Sequence, residues 1–174
     1  MRALKIAVSV LVLALGFAAV VFSAAHPSVE LALKKQPFFG GIGPGYNPNC
    51  FGLFYVDGDK DVPDLREFRL FLCNGRYTFS MKGPAEKLVT LFAGFNYSLE
   101  RGYLIIKKTD DRLVWVDDLE AFKPRQWVKV EADESGYGGY EVYYEPGPLF
   151  EQFVASVKWG RWWQGDSLPL RPNR

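Results

Sequence analysis

The sequence predicts a mainly all-β chain, an antiparallel β-sandwich or small barrel with a short C-terminal helix, preceded by an N-terminal apolar membrane helix or signal peptide. Three observations predict it. Short stretches of period-two alternation recur from residue 50 onward, separated by turn residues. Asn74-Gly75 is a strong hairpin signal, because both residues tolerate the positive φ angles of a type I′ turn. A single uncharged apolar run stands near the N-terminus.

That run begins at Ile6, ends at Ala25 and comes after Arg2 and Lys5. As a helix its twenty residues would rise roughly 30 Å, the thickness of a bilayer core and more than the usual length of a cleaved signal. Ser23-Ala24-Ala25 also supplies the small residues of a cleavage site. Either outcome exports the rest of the chain, since the positive charges precede the run and stay cytoplasmic. The C-terminal domain is therefore expected outside the cytoplasm, membrane-anchored through this run, or secreted or periplasmic if the run is cleaved.

Residues 26–49 hold four prolines and the run Gly40-Gly41-Ile42-Gly43-Pro44-Gly45. They read as a Gly/Pro-rich linker, with a short helix over 28–36. The glycine run has neither the GxGxxG spacing nor a following Lys-Ser/Thr, so it is no phosphate cradle.

The β-rich domain is expected over 50–174. Closing a two-residue turn at Asn74-Gly75 sets Leu72 opposite Tyr77, Leu70 opposite Phe79 and Phe68 opposite Met81, all on one face. Pairing 51–57 with 66–72 continues that face and places Cys50 opposite Cys73. In an exported chain two cysteines so placed predict a disulfide. Strands are further expected at 95–100, 103–107 and 112–117, then a pair at 127–132 and 140–145 around a glycine-rich loop. After Pro148, the spacing of Leu149, Phe150, Phe153, Val154 and Val157 suits a short helix, although Phe153, Ala155, Val157 and Trp159 also alternate as a strand.

Composition limits the chemistry. The 174 residues carry 21 basic and 20 acidic side chains. Without the first 25 the balance is 19 to 20, a formal charge of −1, which offers nucleic acid no attraction. The one histidine, His26, excludes a Ser-His-Asp triad within the exported domain and any site built on several imidazoles.

Three groups of residues remain as candidates. Asp57, Asp59, Asp61 and Asp64 begin with the alternation of a calcium loop, resembling the first half of an EF-hand-type or dockerin-type loop. Position six is Val62 rather than glycine, and position twelve is Phe68 rather than an acid, so a solvated turn competes with calcium as the reading. Trp159, Arg161, Trp162 and Trp163, with Tyr137 upstream, would form an aromatic binding surface, or else close the core. Asn96-Tyr97-Ser98 matches a glycosylation acceptor, in what reads as a strand. No catalytic residue is nominated. The expected function is a binding or accessory module for a protein or glycan partner at the cell envelope. The alternatives are a carboxylate-dependent glycan-acting hydrolase and a structural subunit of a membrane complex.

Overall fold

Apolar side chains alternating along short segments can be buried only if two such faces meet, and the chain solves this with two antiparallel sheets. The computed structural model describes residues 29–36, 53–57, 59–67 and 75–168. One sheet runs β2-β1-β3-β6, with β1 at Glu30–Gln36, β2 at Leu53–Asp57, β3 at Arg76–Lys82 and β6 at Val114–Val116. The other runs β7-β8-β5-β4-β9, with β4 at Leu88–Phe92, β5 at Tyr103–Lys108, β7 at Trp127–Val130, β8 at Tyr140–Glu145 and β9 at Ser156–Trp159.

Leu31, Leu33, Phe79, Met81 and Val114 from the first sheet pack with Val89, Leu91, Leu104, Ile106, Val142 and Val157 from the second in one buried cluster. This is a sandwich-like arrangement of an all-β chain. At one end, the backbones of Gly102 and Gly147 press together. A Cβ on Gly147 would fall 1.5 Å from the Arg101 carbonyl oxygen, and Gly102 has φ of 89°.

Several expectations are corrected. The helix expected over 28–36 is strand β1, the interior strand between β2 and β3. Its composition favours helix, but seven residues are too few for a stable one, and Leu31 and Leu33 are buried only by the alternation of a strand. The folded domain therefore includes residues that the sequence assigned to the linker. The partners expected for Phe79 and Met81 across Asn74-Gly75 are also replaced by others, while residues 68–74 lie outside the described residues. Phe79 pairs with Leu33 on one side and Val116 on the other, and Met81 with Leu31 and Val114, so both edges of β3 are taken at these positions. Where a strand was expected from residue 66, Leu65–Glu67 is a 3-10 turn.

The strand expected at 95–100 is two 3-10 turns, Phe95–Tyr97 and Leu99–Arg101, with Asn96 and Tyr97 both at positive φ. The strand of that region is β4. The segments at 103–108 and 114–116 are strands, but they lie in different sheets. In place of the C-terminal helix, Leu149 turns the chain at φ 51°, Phe150–Gln152 makes one 3-10 turn, and β9 pairs with β4. The β7–β8 pair stands as expected.

Among the described residues no helix is long and apolar enough to cross a membrane. The apolar run ending at Ala25, the cleavage residues Ser23-Ala24-Ala25, and both Cys50 and Cys73 lie outside the described residues.

Candidate functional site

The outer face of a sandwich sheet normally carries polar residues. Here alternation along the five-stranded sheet sends Val128, Val142, Leu104 and Leu91 inward, and therefore sends Trp127, Tyr143, Tyr103 and Phe92 outward. The register sets Trp127 against Tyr143, Tyr143 against Ile105, and Tyr103 against Phe92. The rings form a row. Trp127 and Tyr143 have centroids 5.7 Å apart, Tyr143 and Tyr103 stack at 6.1 Å with 19° between planes, and Tyr103 lies 6.1 Å from Phe92.

The C-terminal segment crosses this face. Gly160, at φ 70°, turns the chain after β9, and the Trp162 indole then packs 5.4 Å from Phe92 and 5.6 Å from Tyr103. Its Nε1–H donates to Thr90 Oγ1 at 2.8 Å. Trp163 comes next, edge-on at 5.6 Å, with the Arg161 guanidinium 5.3 Å from the centre of its ring. The row is open at its other end, where Trp127 is 45% exposed.

Beside the row sits an ion pair. The Glu145 carboxylate is fully buried, and Arg125 grips it with two nitrogens at 3.1 and 3.2 Å. Burial, then the neighbouring Tyr143 and Glu145, push the Tyr103 hydroxyl well above the usual phenol range. Burial raises the Tyr143 hydroxyl too. Both phenols are thus neutral at any physiological pH, and because Phe92, Tyr103 and Tyr143 are themselves buried in a second apolar cluster with Trp162, Trp163 and Leu168, Trp127 is the ring of the row that faces solvent.

The residues nominated as an aromatic surface do not form one surface. Trp162 and Trp163 join the row, each half-buried. Trp159 points the other way, into the shared core, and its indole Nε1 is buried with no hydrogen-bond partner. Arg161 is exposed at the turn, and Tyr137 stands on the β7–β8 loop beside Trp115. The sequence reading missed Trp127, Tyr103 and Phe92. Their signal was positional, since Trp127 alternates with Val128 and Val130 and must face away from the core when they face in.

The acidic loop is dispersed among cations. Asp59 pairs with Lys87, Asp61 with Lys158 at 3.1 Å, and Asp64 holds Arg66 through two of its nitrogens. That Arg66 bond holds the Asp64 carboxyl below the usual carboxylate range. Asp57 belongs to β2, opposite Glu30 of β1. Among the described residues no three acidic, histidine or cysteine side chains gather as a metal ion requires. Asn96 is exposed in a 3-10 turn instead of paired in a strand.

A different set of acids converges at Glu151. Its amide donates to Glu120 Oε1 at 3.1 Å, and burial, then the charges of Glu120 and Asp118, raises the Glu151 carboxyl above its ordinary value.

Comparison with protein-family models, with curated proteins and with solved structures finds no match to this chain.

Proposed function

We propose that this chain is an exported binding or accessory module, tethered to the membrane through the run ending at Ala25 or released by cleavage there. It engages a protein or glycan partner at the cell envelope through the open end of the aromatic row, at Trp127. One observation carries the reading: a row of rings occupies a sheet face that is normally polar, its inner members Phe92, Tyr103 and Tyr143 are buried, and it ends in Trp127, which is exposed beside Arg125. Flat aromatic faces beside an arginine suit both sugar rings and protein hot spots, since they give large contact area at small entropic cost.

A photo-crosslinking residue replacing Trp127 tests it in intact membranes, with the same residue at Glu134 as control. The expected result is one discrete adduct from position 127 and none from position 134, and the mass of the adduct separates a protein from a glycan. Adducts of equal yield at both positions, or at neither, would count against the module.

The hydrolase alternative draws its support from Glu151. A carboxyl held toward its protonated form beside two carboxylates is the pairing that glycosidic acid catalysis uses. If it is correct, Glu151→Gln abolishes hydrolysis of an envelope polysaccharide while leaving the fold intact.

A further inference from the structure

Where the edge strands β6 and β7 of the two sheets face one another, the sandwich opens into a cleft of about 410 Å³. Two aromatic pairs line it. Trp115 and Tyr137 lie 6.2 Å apart with 30° between planes, and Phe122 meets Tyr140 edge-on at 6.3 Å. The loop that brings Tyr137 here is pinned by backbone bonds. Gly138 N–H donates to the Leu113 carbonyl at 2.8 Å, and Thr109 N–H to the Gly139 carbonyl at 3.0 Å. Gly139 N–H donates to Asp110 Oδ2 at 3.1 Å. A Cβ on Gly138 would fall 2.4 Å from Asp110 Oδ1, so this approach requires glycine. The site is therefore held in shape before any ligand arrives.

The charge around these rings has one sign. Asp117, Asp118, Glu131 and Asp133 line the cleft, and among the described residues no lysine, arginine or histidine does. Lys129 pairs with Glu131 at 2.7 Å from outside the lining. An anion is repelled by such a site. A metal ion finds no cluster of ligand oxygens among the described residues, and aromatic rings offer it no lone pairs. π faces beside carboxylates attract an organic cation, which gains from the ring quadrupole and from charge-assisted hydrogen bonds together.

We propose that the cleft binds an alkylammonium group, carried by a free amine or by a lysine side chain of a polypeptide. The site shares no residue with the outer aromatic face and stands whether or not that face binds a partner.

The test uses the full-length chain in non-ionic detergent, with the aromatic and indole NMR signals as readout. Tetramethylammonium chloride and N-acetyl-lysine methylamide are titrated against sodium chloride of equal ionic strength and against glucose. The signals of Trp115 and Tyr137 are expected to move saturably with one or both cations and not with salt or sugar. A response to tetramethylammonium alone assigns the site to small quaternary amines, and tighter binding of the lysine amide assigns it to polypeptides. Tyr137→Leu is expected to weaken binding roughly fivefold, the size of one cation–π contact. The double variant Asp117→Asn, Asp118→Asn is expected to weaken it at least as much, and Trp127→Ala to leave it unchanged. The proposal is overturned by no saturable shift with either cation, by an equal response to glucose, or by full binding in the Tyr137 variant.

Discussion

Asp61 fastens the end of β9: its Oδ1 accepts a hydrogen bond from the Trp159 amide at 2.8 Å while its Oδ2 lies 3.1 Å from Lys158 Nζ. The chain next to it continues the attachment, as Val62 and Val157 exchange two backbone bonds of 2.8 Å and Leu65 N–H donates to the Ala155 carbonyl. An edge strand left bare would present unpaired backbone groups to other chains. Asp61→Ala is expected to cost about 1–2 kcal/mol in urea denaturation, the size of one charged and one neutral bond lost, with Asp61→Asn costing less because it keeps the acceptor.

The same engagement predicts indifference to calcium. Binding there would have to displace Lys87, Lys158 and Arg66 from their carboxylates. The melting temperature is expected to be equal in millimolar calcium and in chelator, and a rise of several degrees with calcium would reinstate the metal reading.

Lys35 predicts a pH dependence. It is buried at the end of β1, with Nζ 4.6 Å from the centre of the Tyr77 ring, and burial lowers its pKa to about 8. Below pH 8 the amine is charged in both folded and unfolded chains, and the desolvation cost is fully present. Between pH 8 and 10.5 the unfolded chain binds more protons, so stability rises with pH, by up to about 3 kcal/mol. Tyr77 opposes this above pH 10, because burial raises its hydroxyl and the unfolded chain ionises first. Melting temperature is expected to climb from pH 8 to 10 and then fall. Lys35→Met should be more stable at pH 7 and show a smaller climb, the remainder coming from buried Lys108, whose ammonium is shifted the same way by burial.

Arg125 and Glu145 form an unequal pair, the arginine 58% exposed and the carboxylate fully buried. Removing the arginine leaves a buried charge without its partner. Arg125→Ala is expected to lower the melting temperature clearly. Adding Glu145→Gln should recover most of the loss, and an additive double variant would show that the pair does not act as a unit.

The disulfide expected between Cys50 and Cys73 falls on residues outside the described ones and is tested by experiment. Lys34 of β1 faces Leu53 on one side and Thr78 on the other, which places β2 and β3 two strand spacings apart, about 10 Å. In the sequence Cys50 lies three residues before Leu53 and Cys73 three before Arg76. Three residues on each side reach about 10 Å, enough to close that gap. Peptide mapping of the non-reduced protein is expected to find Cys50 joined to Cys73, and two alkylated thiols would refute it.

What was legible came from local pattern. The β7–β8 pair could be read because alternation and a glycine-rich loop agreed over a short span. Strand β5 could be read because Tyr103 to Ile106 are apolar without interruption, the mark of a strand covered on both faces. What escaped required long-range information. Tyr77, Phe79 and Met81 were correctly placed on one inward face, but their partners are Lys35, Leu33 and Leu31, more than forty residues earlier. Asn74-Gly75 pointed to a nearer partner, and nothing local argued against it. The aromatic site was split for a related reason: Trp159 and Trp162 are three residues apart, yet the turn at Gly160 places them on opposite faces of one sheet.

The interior position of β1 sets an order of events. Glu30 is joined to Lys82 across the sheet, a separation of 52 residues, so β1 is made before either of its partners and is paired on both sides only once β3 has been made. Until β2 and β3 have emerged, it offers two bare edges and two leucines to any neighbouring chain. Lys34, Lys35 and Glu30 then act as gatekeepers against self-association, well before they have any role in the finished fold. A chain stalled between β1 and β3 is therefore one in which the central strand of this sheet still has unpaired backbone groups.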